Sequence, residues 1–315
     1  MALHPFVATM LATQKEAGAP ALSAGTPDDA RALVAAGRAA IGPGRDTAET
    51  REVTVPTRSG SIGARLHVPH GDVTGLVVYL HGGGWVVATV DDYDTLGREL
   101  AHHSRCAVLL PDYRLAPEHP FPAGLEDTED VLTWIGADPE LGALPLVVAG
   151  DSAGGNLATV ALRRLRGRVS PVLQVLVYPV TDGARDTESY RDCAEGLGLT
   201  ARDMAWFFGH YAPAEDHLHP DVAPLRADDL AGLPPTAVVT AEYDVLRSEG
   251  EAYAQRLREA GVDVTSKRYP GVTHGFVRLH HHIDVARDAV ADIAEAITTA
   301  VAAARPVGHT EKENA

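Results

Sequence analysis

The chain has 315 residues, and 45% of them belong to the hydrophobic set, so it can bury the core of one large α/β domain or of two small ones. Its 27 basic and 43 acidic residues give a formal net charge of −16, which argues against nucleic acid or an anionic membrane as a partner. The two cysteines provide no disulfide framework, no apolar run is long enough to span a membrane, and the N-terminus lacks the features of a signal peptide. We therefore expect a cytoplasmic protein.

The elements predicted along the chain alternate between helix and strand. Residues 1–45 carry alanine-rich helical stretches, and residues 183–225 form a long insertion between two predicted strands. Apolar runs predict buried strands at 75–80, 106–110, 144–149, 172–178 and 236–241, followed by a strand-like run at 262–269. Helical patterns separate most of these strands, which is the alternation of a parallel sheet. A last helix spaces Val290, Ile293, Ile297 and Val301 along one face and leads into a polar tail at 306–315.

A glycine-rich segment around Ser152 predicts the reactive residue. Gly150-Asp-Ser-Ala-Gly-Gly follows the strand at 144–149 and precedes a helix-like run at 156–164. Flanking glycines permit a sharp, strained turn that lifts the serine hydroxyl above the edge of the sheet. This context is typical of a nucleophile elbow, so Ser152 is the candidate nucleophile.

A second glycine-rich segment, His81-Gly-Gly-Gly, follows the apolar run 76–80 and precedes Trp85. Successive glycines leave backbone N–H groups without side-chain cover, so these groups can point at a developing negative charge. A loop of this kind upstream of an elbow is typical of esterases and lipases. It predicts an oxyanion hole.

A serine hydrolase on this scaffold carries its acid and then its histidine downstream of the serine. Asp244 lies just beyond the predicted strand 236–241, and His274 lies in a glycine-flanked loop after the strand-like run 262–269. Carboxylates at other strand ends or loops compete for the role of the acid. They are Asp182, Glu242 and Asp130.

These motifs occur together with Asp112-Tyr-Arg-Leu-Ala-Pro-Glu-His-Pro-Phe-Pro-Ala and Tyr178-Pro-Val-Thr-Asp at familiar separations. From about residue 5 to about residue 300, the chain resembles bacterial members of the hormone-sensitive-lipase-like family of carboxylesterases. The resemblance implies a catalytic triad of Ser152, Asp244 and His274. It also implies that the oxyanion hole consists of the backbone amides of Gly83, Gly84 and Ala153.

The family resemblance further implies an α/β-hydrolase fold, with a mostly parallel central sheet flanked by helices and a helical cap. The core would comprise residues 46–182 and 226–305, and the cap residues 1–45 and 183–225. The insertion holds Met204, Trp206, Phe207, Phe208 and Tyr211 close together, in a chain with only 5% aromatics. For the substrate pocket we predict Trp85, Met204 and Phe207.

The expected activity is hydrolysis of short-chain carboxylic esters through an acyl-enzyme, without metal or organic cofactor. Two alternatives stay open: an amidase or deacetylase acting on a small acylated metabolite, and a non-catalytic small-molecule receptor. The resemblance also makes a homodimer possible. No metal site is predicted at His280-His-His, because consecutive side chains point in different directions, and His217 and His219 are taken as solvated. Glu118 and Asp151 are expected to hold loops near the elbow through hydrogen bonds to backbone amides.

Overall fold

The computed structural model describes residues 2–304 and arranges them around one eight-stranded sheet. The strands are β1 Glu49–Thr57, β2 Gly60–Val68, β3 Leu76–Leu80, β4 Ala107–Pro111, β5 Leu146–Asp151, β6 Leu173–Val177, β7 Thr236–Tyr243 and β8 Val264–Thr273. Their order in the sheet is β1-β2-β4-β3-β5-β6-β7-β8. Strand β2 is antiparallel to both neighbours, and all the other pairs are parallel. The prediction of a mostly parallel sheet is confirmed.

The central strands that the sequence predicted are largely buried on both faces, whereas the strand-like run predicted at 262–269 corresponds to β8, an edge strand whose residues 265–268 are exposed. Every residue of β3, β4 and β6 is buried. Strands β3 and β4 read as uninterrupted apolar runs, as expected for central parallel strands. Strand β6 contains one polar residue, Gln174, whose side-chain amide donates to Thr236 Oγ1 at 2.7 Å. Strands β1 and β2 were not predicted. Most residues of β1 are exposed or half-buried, because this strand forms the edge of the sheet.

Helices cover both faces of the sheet, and alternate residues of each strand supply the two cores. They are α1 Pro5–Glu16, α2 Pro27–Ile41, α3 Val90–Ser104, α4 Ala123–Ala137, α5 Ala153–Arg164, α6 Glu188–Asp192, α7 Ala201–Tyr211, α8 Arg247–Glu259 and α9 Asp284–Ala304. Val78 of β3 belongs to the cluster with Leu125 of α4, whereas Val77 belongs to the cluster with Leu100 of α3. This period of two follows from the pleat of the strand.

The N-terminal segment and the insertion 183–225 are joined directly. The backbone N–H of Ser23 donates to Asp203 Oδ1 at 2.9 Å. Asp203 also completes a capping box with Thr200, which begins helix α7. One buried carboxylate therefore both starts this helix and fastens it to the N-terminal segment.

Within residues 2–304, no helix combines the length and the apolar composition needed to cross a bilayer. The predicted polar tail at 306–315 lies outside the described residues.

Candidate active site

Ser152 lies at the turn between β5 and α5, in a conformation that few non-glycine residues adopt. Its φ is 54° and its ψ is −118°, a region that costs roughly 1–3 kcal/mol. Neighbouring backbone holds it there: its N–H donates to the Val177 carbonyl at 2.9 Å, and its carbonyl accepts from the Val180 N–H at 3.1 Å. A side chain at Gly154 would overlap the Leu80 carbonyl, so the tight packing of α5 on β3 requires glycine there.

Asp151 connects this turn to the glycine-rich loop that follows β3. Its Oδ1 accepts from the Gly82 N–H at 2.9 Å and from the Tyr79 hydroxyl at 3.2 Å, and its Oδ2 accepts from the Tyr93 hydroxyl at 2.8 Å. Burial raises the pKa of this carboxyl above its usual range, against the opposing effect of these donors. The expectation that Asp151 holds a loop through a backbone amide is confirmed.

The glycine-rich loop continues through two left-handed residues, Gly83 with φ 115° and Gly84 with φ 57°. A side chain at Gly84 would collide with the ring of Phe207, which belongs to α7 of the insertion. The loop therefore offers bare backbone on the side that faces α7. Glycine is needed here for its conformation and for this close approach.

Asp244 and His274 lie beyond the ends of β7 and β8 and contact each other. His274 Nδ1 is 2.7 Å from Asp244 Oδ2, while Asp244 Oδ1 accepts from the Leu246 N–H at 2.9 Å. The carboxylate places the imidazole proton on Nδ1, which leaves the lone pair on Nε2. The Tyr178 ring packs on the imidazole with a centroid distance of 4.5 Å. Asp244 is completely buried, whereas the His274 side chain is 14% exposed.

The three competing carboxylates have other partners. Asp182 binds Arg226 through both oxygens, at 3.0 and 2.7 Å. Glu242 accepts from the Gly271 N–H at 2.8 Å, and Asp130 pairs with Arg58. Among the described acidic residues considered for this role, Asp244 is the one in contact with His274.

The three residues predicted for the pocket lie where the glycine-rich loop meets the insertion, and they are well packed. Trp85 stacks on Tyr211 of α7 with a centroid distance of 4.1 Å and an interplanar angle of 4°. Met204 and Phe207 are only 1% and 2% exposed. Phe207 is the one that lies directly against Gly84.

Glu118 has a different partner from the one predicted. Its two carboxylate oxygens accept from Arg31 of α2 at 2.7 and 2.6 Å, so it binds a guanidinium rather than a loop amide. Arg31 also donates to the carbonyl of Val86, just after the glycine-rich loop. The sequence could not indicate this pair, because Arg31 and Glu118 lie 87 positions apart.

Sequence reasoning missed one buried acid beside the site. Glu249 of α8 is fully buried, and its Oε1 accepts from the N–H groups of Thr181 and Asp182 at 2.7 and 3.2 Å. Burial raises the pKa of its carboxyl well above the usual range. A glutamate on a buried helix face is the signal that could have revealed it. It holds the segment after β6 in place.

His81, at the start of the glycine-rich loop, makes the fold acid-sensitive. Burial lowers the pKa of its imidazole to about 4, against about 6.5 in an unfolded chain. The unfolded state therefore binds the proton first, so stability that is present above pH 6.5 is lost as the pH falls toward 4. We expect a loss of up to roughly 3 kcal/mol from this group in urea unfolding between pH 7 and pH 4.

A pair of variants tests this pH dependence. His81→Asn should flatten the slope of unfolding free energy against pH, and His70→Asn, at a largely exposed histidine, should leave it unchanged. An identical slope in His81→Asn and the wild type would contradict the assignment.

The geometry agrees with similarities to known proteins. The sequence pattern of a family with the α/β-hydrolase fold matches residues 77–278, more than half of the chain. The chain belongs to this α/β-hydrolase family. The resemblance to hormone-sensitive-lipase-like carboxylesterases, noted from the sequence, is thereby confirmed.

Named relatives and solved structures agree with the family. This α/β hydrolase is 41% identical over 244 residues to the carboxylic ester hydrolase LipN of Mycobacterium tuberculosis, covering 73% of the chain and 65% of that relative. It is 37% identical over 259 residues to the ethyl acetate hydrolase of Pseudomonas putida, covering 78% of the chain and 81% of that relative. The structure of a hyperthermophilic esterase from the archaeon Pyrobaculum calidifontis superimposes with a TM-score of 0.90 at 38% identity, covering 96% of this chain and 100% of that one. The prediction of an ester hydrolase is confirmed.

Proposed function

We propose that this α/β hydrolase is a serine carboxylesterase that cleaves short-chain esters through an acyl-enzyme. The observation that supports this most is the 2.7 Å contact between His274 Nδ1 and Asp244 Oδ2. It gives the imidazole the tautomer that a general base needs. Relatives that hydrolyse carboxylic esters and ethyl acetate support the same class of substrate.

In the first half of the reaction, His274 Nε2 takes the proton from Ser152 Oγ as the oxygen attacks the ester carbonyl carbon. A tetrahedral intermediate forms with negative charge on the former carbonyl oxygen. His274 then gives the proton to the alcohol as the C–O bond breaks, leaving Ser152 acylated. Water repeats the sequence: His274 accepts its proton, and the acid leaves with Ser152 restored.

The negative charge would be stabilised by the backbone amides of Gly83, Gly84 and Ala153. Ala153 is the first residue of α5, so its N–H has no partner within the helix and lies at the positive end of the helix dipole. In a serine protease, removal of one such donor lowers kcat by about 10²–10³. Every step uses groups of the chain and water.

Fluorophosphonate labelling tests the assignment of the nucleophile. The phosphorus should attach to Ser152, and mass spectrometry of the peptide that contains residue 152 should show the adduct. His274→Asn should label much more slowly, because the serine loses its base. An adduct on another residue, or equal labelling rates, would refute the assignment.

The cap in this proposal comprises residues 1–45 and 183–225, over a core of residues 46–182 and 226–305. The bond between Ser23 and Asp203 supports a cap made of both segments. Phe207 would form a wall of the acyl pocket, because its ring lies against Gly84 of the proposed oxyanion hole. Trp85 and Met204 would line the same pocket, since Trp85 directly follows Gly84 and Met204 belongs to the same helix as Phe207.

We expect the enzyme to prefer acyl chains of roughly two to six carbons. Each buried methylene gains about 0.8 kcal/mol, close to fourfold in kcat/KM, until the chain meets the Phe207 wall. The measurement is kcat/KM for p-nitrophenyl acetate, butyrate, hexanoate, octanoate and palmitate. Phe207→Ala should move the optimum to longer chains, and Phe6→Ala, the same truncation at a partly exposed ring on α1, should not.

Two outcomes would contradict this size limit. The first is highest efficiency on palmitate, and the second is a jump in rate when the longer esters form an emulsion. Either would indicate a lipase whose cap adsorbs to lipid, against a net charge of −16. The p-nitroanilide of the best acid tests the amidase alternative in the same assay.

We also propose that the enzyme acts in the cytoplasm and forms a homodimer. Both cysteines are buried, so neither can form a disulfide bond between the two chains, and the dimer would be non-covalent. Strand β8 ends the sheet with four consecutive exposed residues, 265–268, which leaves a strand edge that a second copy could extend. Light scattering of the purified protein should give the mass of two chains, and the mass of one chain would contradict the dimer.

A further inference from the structure

A cluster of histidines and one glutamate lies on the face of the sheet covered by α3 and α9, outside the proposed active site. One ligand atom from each of Glu99, His280 and His281 lies within 4.8 Å of the others. His103, one helical turn after Glu99 on α3, has its Nε2 3.3 Å from Glu99 Oε2. We propose that the side chains of Glu99, His103, His280 and His281 bind one divalent transition-metal ion such as Zn²⁺.

His280 is the strongest evidence for a ligand. Its side chain is 4% exposed, and its Nδ1 lies 3.0 Å from the Val277 carbonyl, to which it must donate. The lone pair therefore lies on Nε2. That atom is buried and has no hydrogen-bond partner among residues 2–304. A histidine that donates Nδ1–H to a carbonyl and keeps a free Nε2 has the arrangement found in most metal-binding histidines.

Glu99 adds a carboxylate that is 4% exposed, and a buried carboxylate normally has a charged partner. Imidazole nitrogens with one carboxylate oxygen are ligands that suit Zn²⁺, Cu²⁺ and Ni²⁺ better than Mg²⁺ or Ca²⁺. Bonds of about 2.0–2.1 Å in a tetrahedral site set ligand atoms about 3.3 Å apart. His281 is exposed and can close the remaining gap by rotating its side chain.

From the sequence, the side chains of the three consecutive histidines 280–282 were expected to point in different directions. In the structure only His282 points away from the other two. His282 turns away and its Nε2 contacts the Ala40 carbonyl at 2.7 Å. The rings of His280 and His281 stay together, with centroids 4.3 Å apart, because the short helix Phe276–Leu279 ends just before them. Glu99 comes from a distant part of the sequence, so the sequence pattern around residue 280 could not show it.

The cluster opens into a cavity of about 570 Å³ that an ion can reach. The acidic groups on its walls besides Glu99 are Asp46 and Asp288, and the basic groups are Arg45 and Arg287. Arg45 Nε lies 3.2 Å from Glu99 Oε2, and its side chain is 52% exposed. In the metal-free protein this guanidinium neutralises Glu99. It must swing into solvent when the ion binds.

Calorimetric titration of the full chain with ZnCl₂, without any oligohistidine tag, tests the proposal. We expect one ion per chain at this site. His280→Gln, His281→Ala and Glu99→Gln should each weaken binding by at least about tenfold, the lower end of the cost of losing even an outer partner. Because His281 is exposed, His281→Ala still tests the site if a variant at a buried position fails to fold.

The Arg45→Gln variant tests whether the cluster is a metal site or whether Glu99 serves only in a structural ion pair with Arg45. Removal of the competing cation should tighten Zn²⁺ binding. Zn²⁺ should also raise the urea midpoint of the wild type and not that of His281→Ala, since a ligand stabilises the state that binds it.

Two further variants are controls for other histidines. His219→Ala and His274→Ala should bind Zn²⁺ as the wild type does, because neither contributes to the cluster. Absence of Zn²⁺ binding by the wild type, unchanged affinity in Glu99→Gln and His281→Ala, or weaker binding by Arg45→Gln would each overturn the proposal.

Discussion

Replacement of Ser152 by alanine is expected to abolish ester hydrolysis, with a loss in kcat of about 10⁶, as for the corresponding change in a serine protease. In the proposed mechanism, the Ser152 hydroxyl is the group that forms the acyl-enzyme. The fold should persist, since the backbone N–H and carbonyl of Ser152, rather than its hydroxyl, make the bonds to Val177 and Val180. The strain of the positive φ at position 152 is the same for alanine as for serine.

The measurement is kcat on p-nitrophenyl butyrate together with the urea unfolding curve. Ser170→Ala, at an exposed serine, is the matched control and should retain full activity. If Ser152→Ala keeps more than a few per cent of wild-type activity while folded, the nucleophile lies elsewhere.

The second large effect is expected from Asp244→Asn, which should lower kcat by about 10³–10⁴ with little change in KM. An amide at this position can donate its N–H₂ to Nδ1 and thereby place the imidazole proton on Nε2. His274 then offers no lone pair to the Ser152 hydroxyl. The bond from the Leu246 N–H to Oδ1 can survive the change, so the fold should be retained.

Asp182→Asn is the matched control, because Asp182 is also a buried carboxylate that follows a strand. Its partner is Arg226, so its loss should reduce the free energy of unfolding and leave kcat nearly unchanged. A larger fall in kcat for Asp182→Asn than for Asp244→Asn would reverse the choice of acid.

Short-range patterns predicted much of this molecule. The central strands β3 to β7 were predicted because burial on both faces makes their sequences largely apolar. The segment around Ser152 was predicted because a strained turn between a strand and a helix requires glycine at fixed offsets. Each of these signals lies within about ten residues of chain.

The features that could not be predicted depend on contacts between distant parts of the chain. Phe207 is one aromatic residue among several on α7, and only the packing of that helix places its ring against Gly84. Glu118 was expected near backbone amides, and an arginine from α2 is its partner instead. Strands β1 and β2 carry too many exposed residues to stand out from loops.

The carboxylate of Asp151 joins the turn at Ser152 directly to the glycine-rich loop. It belongs to the residue next to Ser152 and accepts from Gly82, which is next to Gly83. In the proposed mechanism, the distance between Ser152 Oγ and the amides of Gly83 and Gly84 would therefore depend on this bond rather than on α7. Opening of α7 would then change how fast substrate enters and product leaves, while the chemical step stays constant. If residues 1–45 and 183–225 form the proposed cap, mild heat or denaturant that loosens them should change KM first, and kcat should fall only when the sheet itself unfolds.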